Sequence, residues 1–119
     1  MVDISEGIRL FNNLDFFEAH VFFENLWINA ERKDKLFLQG LIQISVGCFH
    51  TISKKRNGAI NQFEKGTKKL LNYQPFYNGV NVEKFLIGIE PIKTFLKSNT
   101  DERNCEISFP KIEFSISNK

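Results

Sequence analysis

The chain has 119 residues, enough for one domain (expected to span 1–119) with one core and too few for two. Hydrophobic residues are 42% and charged residues 25%, and thirteen phenylalanines supply large apolar areas to a short chain. A net charge of +2, from 16 basic and 14 acidic residues, is too balanced to argue for nucleic acid or an anionic membrane surface as partner.

In chain order, Asp3 or Ser5 can cap a first helix carrying Ile4, Ile8 and Phe11 on one side, broken by Asn12 and Asn13. Asp15-Phe16-Phe17-Glu18 reads as a capping box opening a second helix that runs to about Ala30. Glu31 to Asp34 reads as a charged turn. A third helix follows from Lys35 to Lys54, with no charge between Leu36 and Ser53. That length approaches a membrane span, but Gln39, Gln43, His50 and paired glycines and serines are too polar for lipid, so a central packed helix is expected.

Lys54 to Gly58 turns the chain, and Asn57 is the expected cap of a fourth, amphipathic helix to about Asn72. A loop from Tyr73 to Val80 holds Pro75 and Gly79. Asn81 then caps a fifth helix through Val82, Phe85, Leu86 and Ile89. Pro91 should kink that helix or restart it as a short sixth one to Ser98. The helical core is thus 1–98. Residues 99–119 form a linker and an extended C-terminal arm with no obvious strand partner. The expected fold is all-α: a compact bundle of five to six helices in packed hairpins, with that arm.

Ala19, Phe23 and Glu24 recur forty residues later as Ala59, Phe63 and Glu64, each set opening the second helix of a hairpin. Two stacked hairpins resemble a tetratricopeptide-like layout, which usually serves binding. Equally, small-large spacing suits any packed pair of helices.

The second helix poses the chemical question. At about 100° per residue, Trp27, Phe16 and Phe23 fall within about 60° of His20, and Glu24 lies at the edge of that apolar arc. A buried polar group without a partner costs about 1–3 kcal/mol, so partners are expected. Gln39, Gln43 and His50 fall within about 40° of one another on the third helix, uncharged where a solvated stripe would use Lys or Glu. An inward seam of His20, Glu24, Gln39, Gln43 and His50 follows as the candidate ligand-binding site. Phe22 projects toward solvent and is left for the arm or a second subunit.

The run LFNNLDFFEAHVFFENLW, then FLQGLIQISVGCFH and NGA, resembles the small bacterial and archaeal proteins of domain of unknown function 309 (DUF309). The matching residues are a Phe11-Asn12 turn; Phe16, Phe17, Glu18, Ala19, His20, Glu24 and Trp27; Gln39 to Gln43 and His50; then Gly58 and Ala59. The resemblance implies an all-helical domain and no particular reaction. In two places the chain departs from the pattern. The family usually has Gly where Leu14 stands, and a second Glu where Val21 stands, so any ligand or base supplied by that carboxylate is missing here.

Three functions are compatible with these residues. A binding or interaction module would take a small polar ligand or a peptide in the seam. A metal-dependent or acid–base, hydrolase-like enzyme would use His20 and Glu24, at i and i+4, with His50 as third ligand. The chain lacks the paired Glu-x-x-His motifs of di-metal bundles, and neutral Gln is a poor ligand, so no metal or other cofactor is expected. Third, the seam could be purely structural. Nucleophilic catalysis is disfavoured, because Cys48 lies opposite His50 on the wheel. Cys48 and Cys105 fit no metal or redox spacing, and MVDISEGIRLF has no basic region followed by an apolar run. Both point to a cytoplasmic protein with free thiols. The sequence leaves a homodimer open.

Overall fold

The computed structural model describes residues 2–98 and 107–115. Five helices follow in order: α1 (Ser5–Asn12), α2 (Phe16–Ile28), α3 (Arg32–Ile52), α4 (Arg56–Leu70) and α5 (Val82–Lys97). A 3-10 turn (Leu71–Tyr73) and a two-stranded hairpin, β1 (Phe76–Tyr77) and β2 (Val80–Asn81), join α4 to α5. The expected all-helical architecture is present. Among the described residues no helix is long and apolar enough to cross a membrane.

Phenylalanines make the core. Phe11, Phe16, Phe23, Phe37, Phe63 and Phe85 are fully buried, and Phe11 meets Phe16 and Phe85 edge-to-face at 4.9 and 5.5 Å. Each fully buried ring contributes about 1.5–3 kcal/mol. Between α3 and α4 the packing is closer still. A Cβ at Gly66 would stand 3.0 Å from the Gly40 carbonyl oxygen, so the two backbones touch where both side chains are hydrogen.

The forty-residue echo proves to be structural. Both hairpins, α1–α2 and α3–α4, turn through the same hydrogen bonds. Asp15 N–H donates to Leu10 O and Leu14 N–H to Phe11 O; Lys55 N–H donates to His50 O and Lys54 N–H to Thr51 O. These are Schellman turns, and each needs a left-handed residue, here Leu14 (φ 67°) and Lys54 (φ 63°). Gly7 and Gly47 lie under the rings of Phe23 and Phe63 in the two copies, and Ala19 and Ala59 are both fully buried. Leu14 stands where the family resemblance has glycine, so the turn survives in a conformation that burdens a side chain by about 1–2 kcal/mol. Leu14 is half exposed and loses little packing if removed. Leu14→Gly is therefore expected to raise stability by about 0.5–1 kcal/mol, read as the urea midpoint at unchanged slope.

Several local expectations are corrected. Asp15 occupies the cap position of α2 without a side-chain cap bond; its carboxylate instead accepts from Asn13 Nδ2 at 2.9 Å, and the capping box does not form. The third helix starts at Arg32, so Glu31–Asp34 is its first turn rather than a loop. Asn57 lies inside α4, whose cap position is Lys55, because the Schellman turn starts the next helix immediately. α5 runs through Pro91 without interruption, and there is no sixth helix among the described residues. Pro91 and Ile87, four residues before it, are both exposed, so water can satisfy the carbonyl that the proline leaves free. Asn81 does cap α5, its Oδ1 accepting from Lys84 N–H at 3.0 Å. Phe22 is half-buried, with Gly7 and Phe23 against its ring.

The arm does have a partner. Its Phe114 bridges Val80, Asn81 N–H donates to Glu113 O at 3.0 Å, and Ser115 N–H donates to Gly79 O at 2.9 Å, adding an edge to the β1–β2 hairpin. A two-residue strand in a loop carries no alternation to read, which is why the sequence hides it. Residues 99–106 and 116–119 of the expected linker and arm lie outside the described residues.

That loop is also clipped to the start of α3. Tyr73 Oη donates to Lys33 O at 3.1 Å, and Tyr77 Oη donates to Asp34 Oδ1 at 2.5 Å. Asp34 is buried, with only 5% exposed. Burial, and then the bond to Asp34, push the Tyr77 hydroxyl well above the usual phenol range. A group whose pKa is raised by folding contributes stability below its unfolded pKa and loses it as pH rises. Stability should thus hold to about pH 10 and fall above it. Tyr77→Phe should remove that part of the alkaline decline. It should also cost about 1–3 kcal/mol at neutral pH by leaving a buried carboxylate oxygen without its donor, checked by urea denaturation across pH.

Candidate functional site

The seam lies where α2 crosses α3. Phe17 of α2 contacts Phe49 of α3 at 5.6 Å between ring centres, and near the other end the Lys35 ammonium sits 4.3 Å over the Trp27 ring. The two helices are antiparallel, and this register brings His20 level with Gln43 and Val46. Lys35 also donates to the carbonyls of Trp27 and Ile28, satisfying the end of α2.

On α3, Leu36, Gln39, Gln43, Val46 and His50 repeat at three- and four-residue steps and are all half-buried or exposed. On one flank of this stripe Phe49 meets α2; on the other Gly40 and Gly47 abut α4. The stripe is therefore the floor of a valley between α2 and α4, open to solvent, and not a sealed interior seam.

His20 stands on the α2 wall with its side chain 18% exposed. Its Nδ1 is 2.7 Å from Phe17 O, so that nitrogen is the donor of this pair. Nε2 lies 3.8 Å from Glu24 Oε1, and Glu24 is exposed. No hydrogen bond among the described residues links His20 to Gln39 or Gln43. Gln43 Oε1 is buried without a partner, and so is His50 Nδ1. The His50 ring rests on Gly58, where a Cβ would come within 3.1 Å of its Cδ2. His20 and Glu24 are thus neighbours and Gln43 is level with them. His50 sits nearly two turns further along α3. No three His, Cys, Asp or Glu side chains among the described residues are placed to hold one metal ion. Cys48 is fully buried, and burial pushes its thiol well up, away from reactivity.

Several motif residues have structural duties instead. Asn12 pairs with the arm through Ile112: Nδ2 donates to Ile112 O at 2.9 Å and Ile112 N–H donates to Oδ1 at 2.8 Å. Gly58 seats His50, Ala59 is core, and Gly40 admits α4. Residues 4–62 match the family model described as a domain of unknown function, DUF309. The chain belongs to the DUF309 family. No curated protein matches the chain. The DUF309 segment runs from the head of α1 into α4, so it holds both Schellman turns and His20, Glu24, Gln39, Gln43 and His50. The arm, β1, β2 and α5 lie outside it. Sequence reasoning missed Asp34, whose flanking charges disguise a buried residue, and Trp27 Nε1, which is buried without a partner beneath Lys35.

Proposed function

We propose that this chain is a helical binding module whose α2–α4 valley receives a small polar ligand or a peptide segment. Ligand-facing roles fall to His20, Glu24, Gln39, Gln43 and His50. The observation that carries the reading is Gln43 Oε1, a buried acceptor without a donor on the uncharged stripe of α3. Leaving it so costs about 1–3 kcal/mol, a sacrifice that a bound donor would offset. The free Nε2 edge of the His20 ring, level with it on the facing wall, offers a second point of attachment. Glu24, at the solvent rim, supplies the only charge. An exposed Phe17 and a half-buried Val46 add apolar area between these polar points, the usual composition of a recognition site.

Gln43→Met keeps volume and removes the orphaned acceptor, so it should stabilise the free protein by about 1 kcal/mol. The same change should abolish the thermal shift given by any unphosphorylated metabolite or short peptide that stabilises the native chain. Destabilisation by Gln43→Met would mean that the amide serves the fold, and the recognition reading would fail.

A further inference from the structure

A shallow, open groove of about 450 Å³ between α4 and α5 is lined by Glu64, Lys65, Thr67, Lys68, Leu71 and Lys93. Every one of these residues lies beyond the DUF309 segment, which ends at residue 62. Lys93 is the unusual member. Its side chain is only 12% exposed, yet its ammonium has a single acceptor, Glu90 Oε2 at 3.2 Å. An ammonium carries three donors, so two are not taken by protein acceptors among the described residues, while its charge also reaches the Glu64 carboxyl. The one acid in the lining, Glu64, is already engaged by Lys97. Lys97 and then Lys93 hold its carboxyl below the usual range, as a positive local field requires. Lys65 and Lys68 have no ion-pair partner among the described residues.

Thr67 adds a second, independent sign. Buried hydroxyls elsewhere in these helices bond back one turn: Ser45 to Leu41 O and Thr51 to Gly47 O, both at 2.8 Å. Thr67 does not, and its Oγ1 is buried without any partner in the groove wall. The groove therefore combines excess positive charge, ammonium donors not taken by protein acceptors and an unclaimed hydroxyl, with the exposed Leu71 beside them.

We propose that the α4–α5 groove binds a phosphorylated small molecule, its phosphate taken by Lys93 and Thr67, flanked by Lys65 and Lys68, and its organic part resting on Leu71. Phosphate oxygens accept charge-assisted bonds from ammonium groups, and a dianion balances the excess charge. The competing explanation is that Lys65 and Lys68 merely complement the C-terminal dipole of α4. That explanation leaves Lys93 and Thr67 idle and predicts no saturable site.

The test titrates the full chain at low ionic strength with inorganic phosphate, pyrophosphate and phenyl phosphate, reading the melting temperature and the 31P line width. A saturable rise is expected with each, tighter for phenyl phosphate than for inorganic phosphate, and not reproduced by sodium chloride at equal ionic strength. Lys93→Gln and Thr67→Val should each weaken binding by about tenfold or more, while Lys84→Gln, whose lysine pairs with Glu113, should not. If Lys93→Gln fails to fold, the exposed pair Lys65→Gln and Lys68→Gln must show the same loss. A response that tracks ionic strength alone, or that survives these substitutions, overturns the proposal.

Discussion

Asn12→Ala is expected to lower stability by about 2–4 kcal/mol and to release the C-terminal arm. Asn12 uses both ends of its amide on the backbone of Ile112, mimicking one rung of a strand ladder from the end of a helix. Ile112 itself is 97% buried, so its N–H and C=O would lose their partners in a place that water reaches poorly. Each unsatisfied group contributes about 1–3 kcal/mol to the loss, discounted here because the bonds are only partly buried. What the arm covers would then open. Phe109 lies 5.0 Å from Phe16, and Pro110 lies over Gly88, so losing the clamp uncovers the faces of α2 and α5 together. Urea denaturation reads the stability change, and trypsin cleavage after Lys111 reads the release. Asn13→Ala is the matched control. Asn13 is exposed and its side chain bonds only the Asp15 carboxylate, so its loss should stay within about 0.5 kcal/mol. Equal effects at the two positions would refute the clamp.

The same residue explains what could and could not be read from the sequence. Helix periodicity was legible because burial follows it: Phe16, Ala19 and Phe23 on α2 and Ala59, Phe63 and Leu70 on α4 are the buried positions the wheels require. Asn12 looked like a helix breaker, since a local rule sees only neighbours in the chain, and its partner lies one hundred residues away. The expected kink or restart at Pro91 has a related origin. The rule knows the lost hydrogen bond but not whether the freed carbonyl faces water. The candidate site was half legible. Wheels place His20 and Gln43 on facing sides of α2 and α3, and no hydrogen bond among the described residues joins them. They could not show that α4 flanks α3 on the other side, which turns an interior seam into an open valley floor. Nor can a wheel tell a partnered amide from an orphaned one, and the functional reading depends on that distinction. Exposure at Glu24 follows too, because the valley has a rim where a closed core would have none.

The duplicated hairpin makes the last prediction quantitative, since its two copies differ in how tightly they close. An alanine Cβ at position 7 would lie 2.4 and 2.6 Å from Cε1 and Cζ of Phe23, and 2.9 Å from Phe22 Cδ2. At position 47 the nearest atoms of Phe63 are 3.0 Å away. Both rings are fully buried and cannot swing into solvent. Replacing a helical glycine by alanine gains about 1 kcal/mol of helix propensity in either copy. Overpacking costs about 1–3 kcal/mol and falls almost wholly on the tighter copy. Gly7→Ala should therefore destabilise by up to about 2 kcal/mol, and Gly47→Ala should be neutral or stabilise by less than about 1 kcal/mol. Trimming the ring distinguishes a clash from a general intolerance of α1. Phe23→Leu makes room, so the double variant Gly7→Ala/Phe23→Leu should be more stable than the sum of the single losses by about 0.5–3 kcal/mol. Strict additivity in that cycle would show that α1 is not seated on the Phe23 ring. The equivalence of the two hairpins would then rest on their Schellman turns alone.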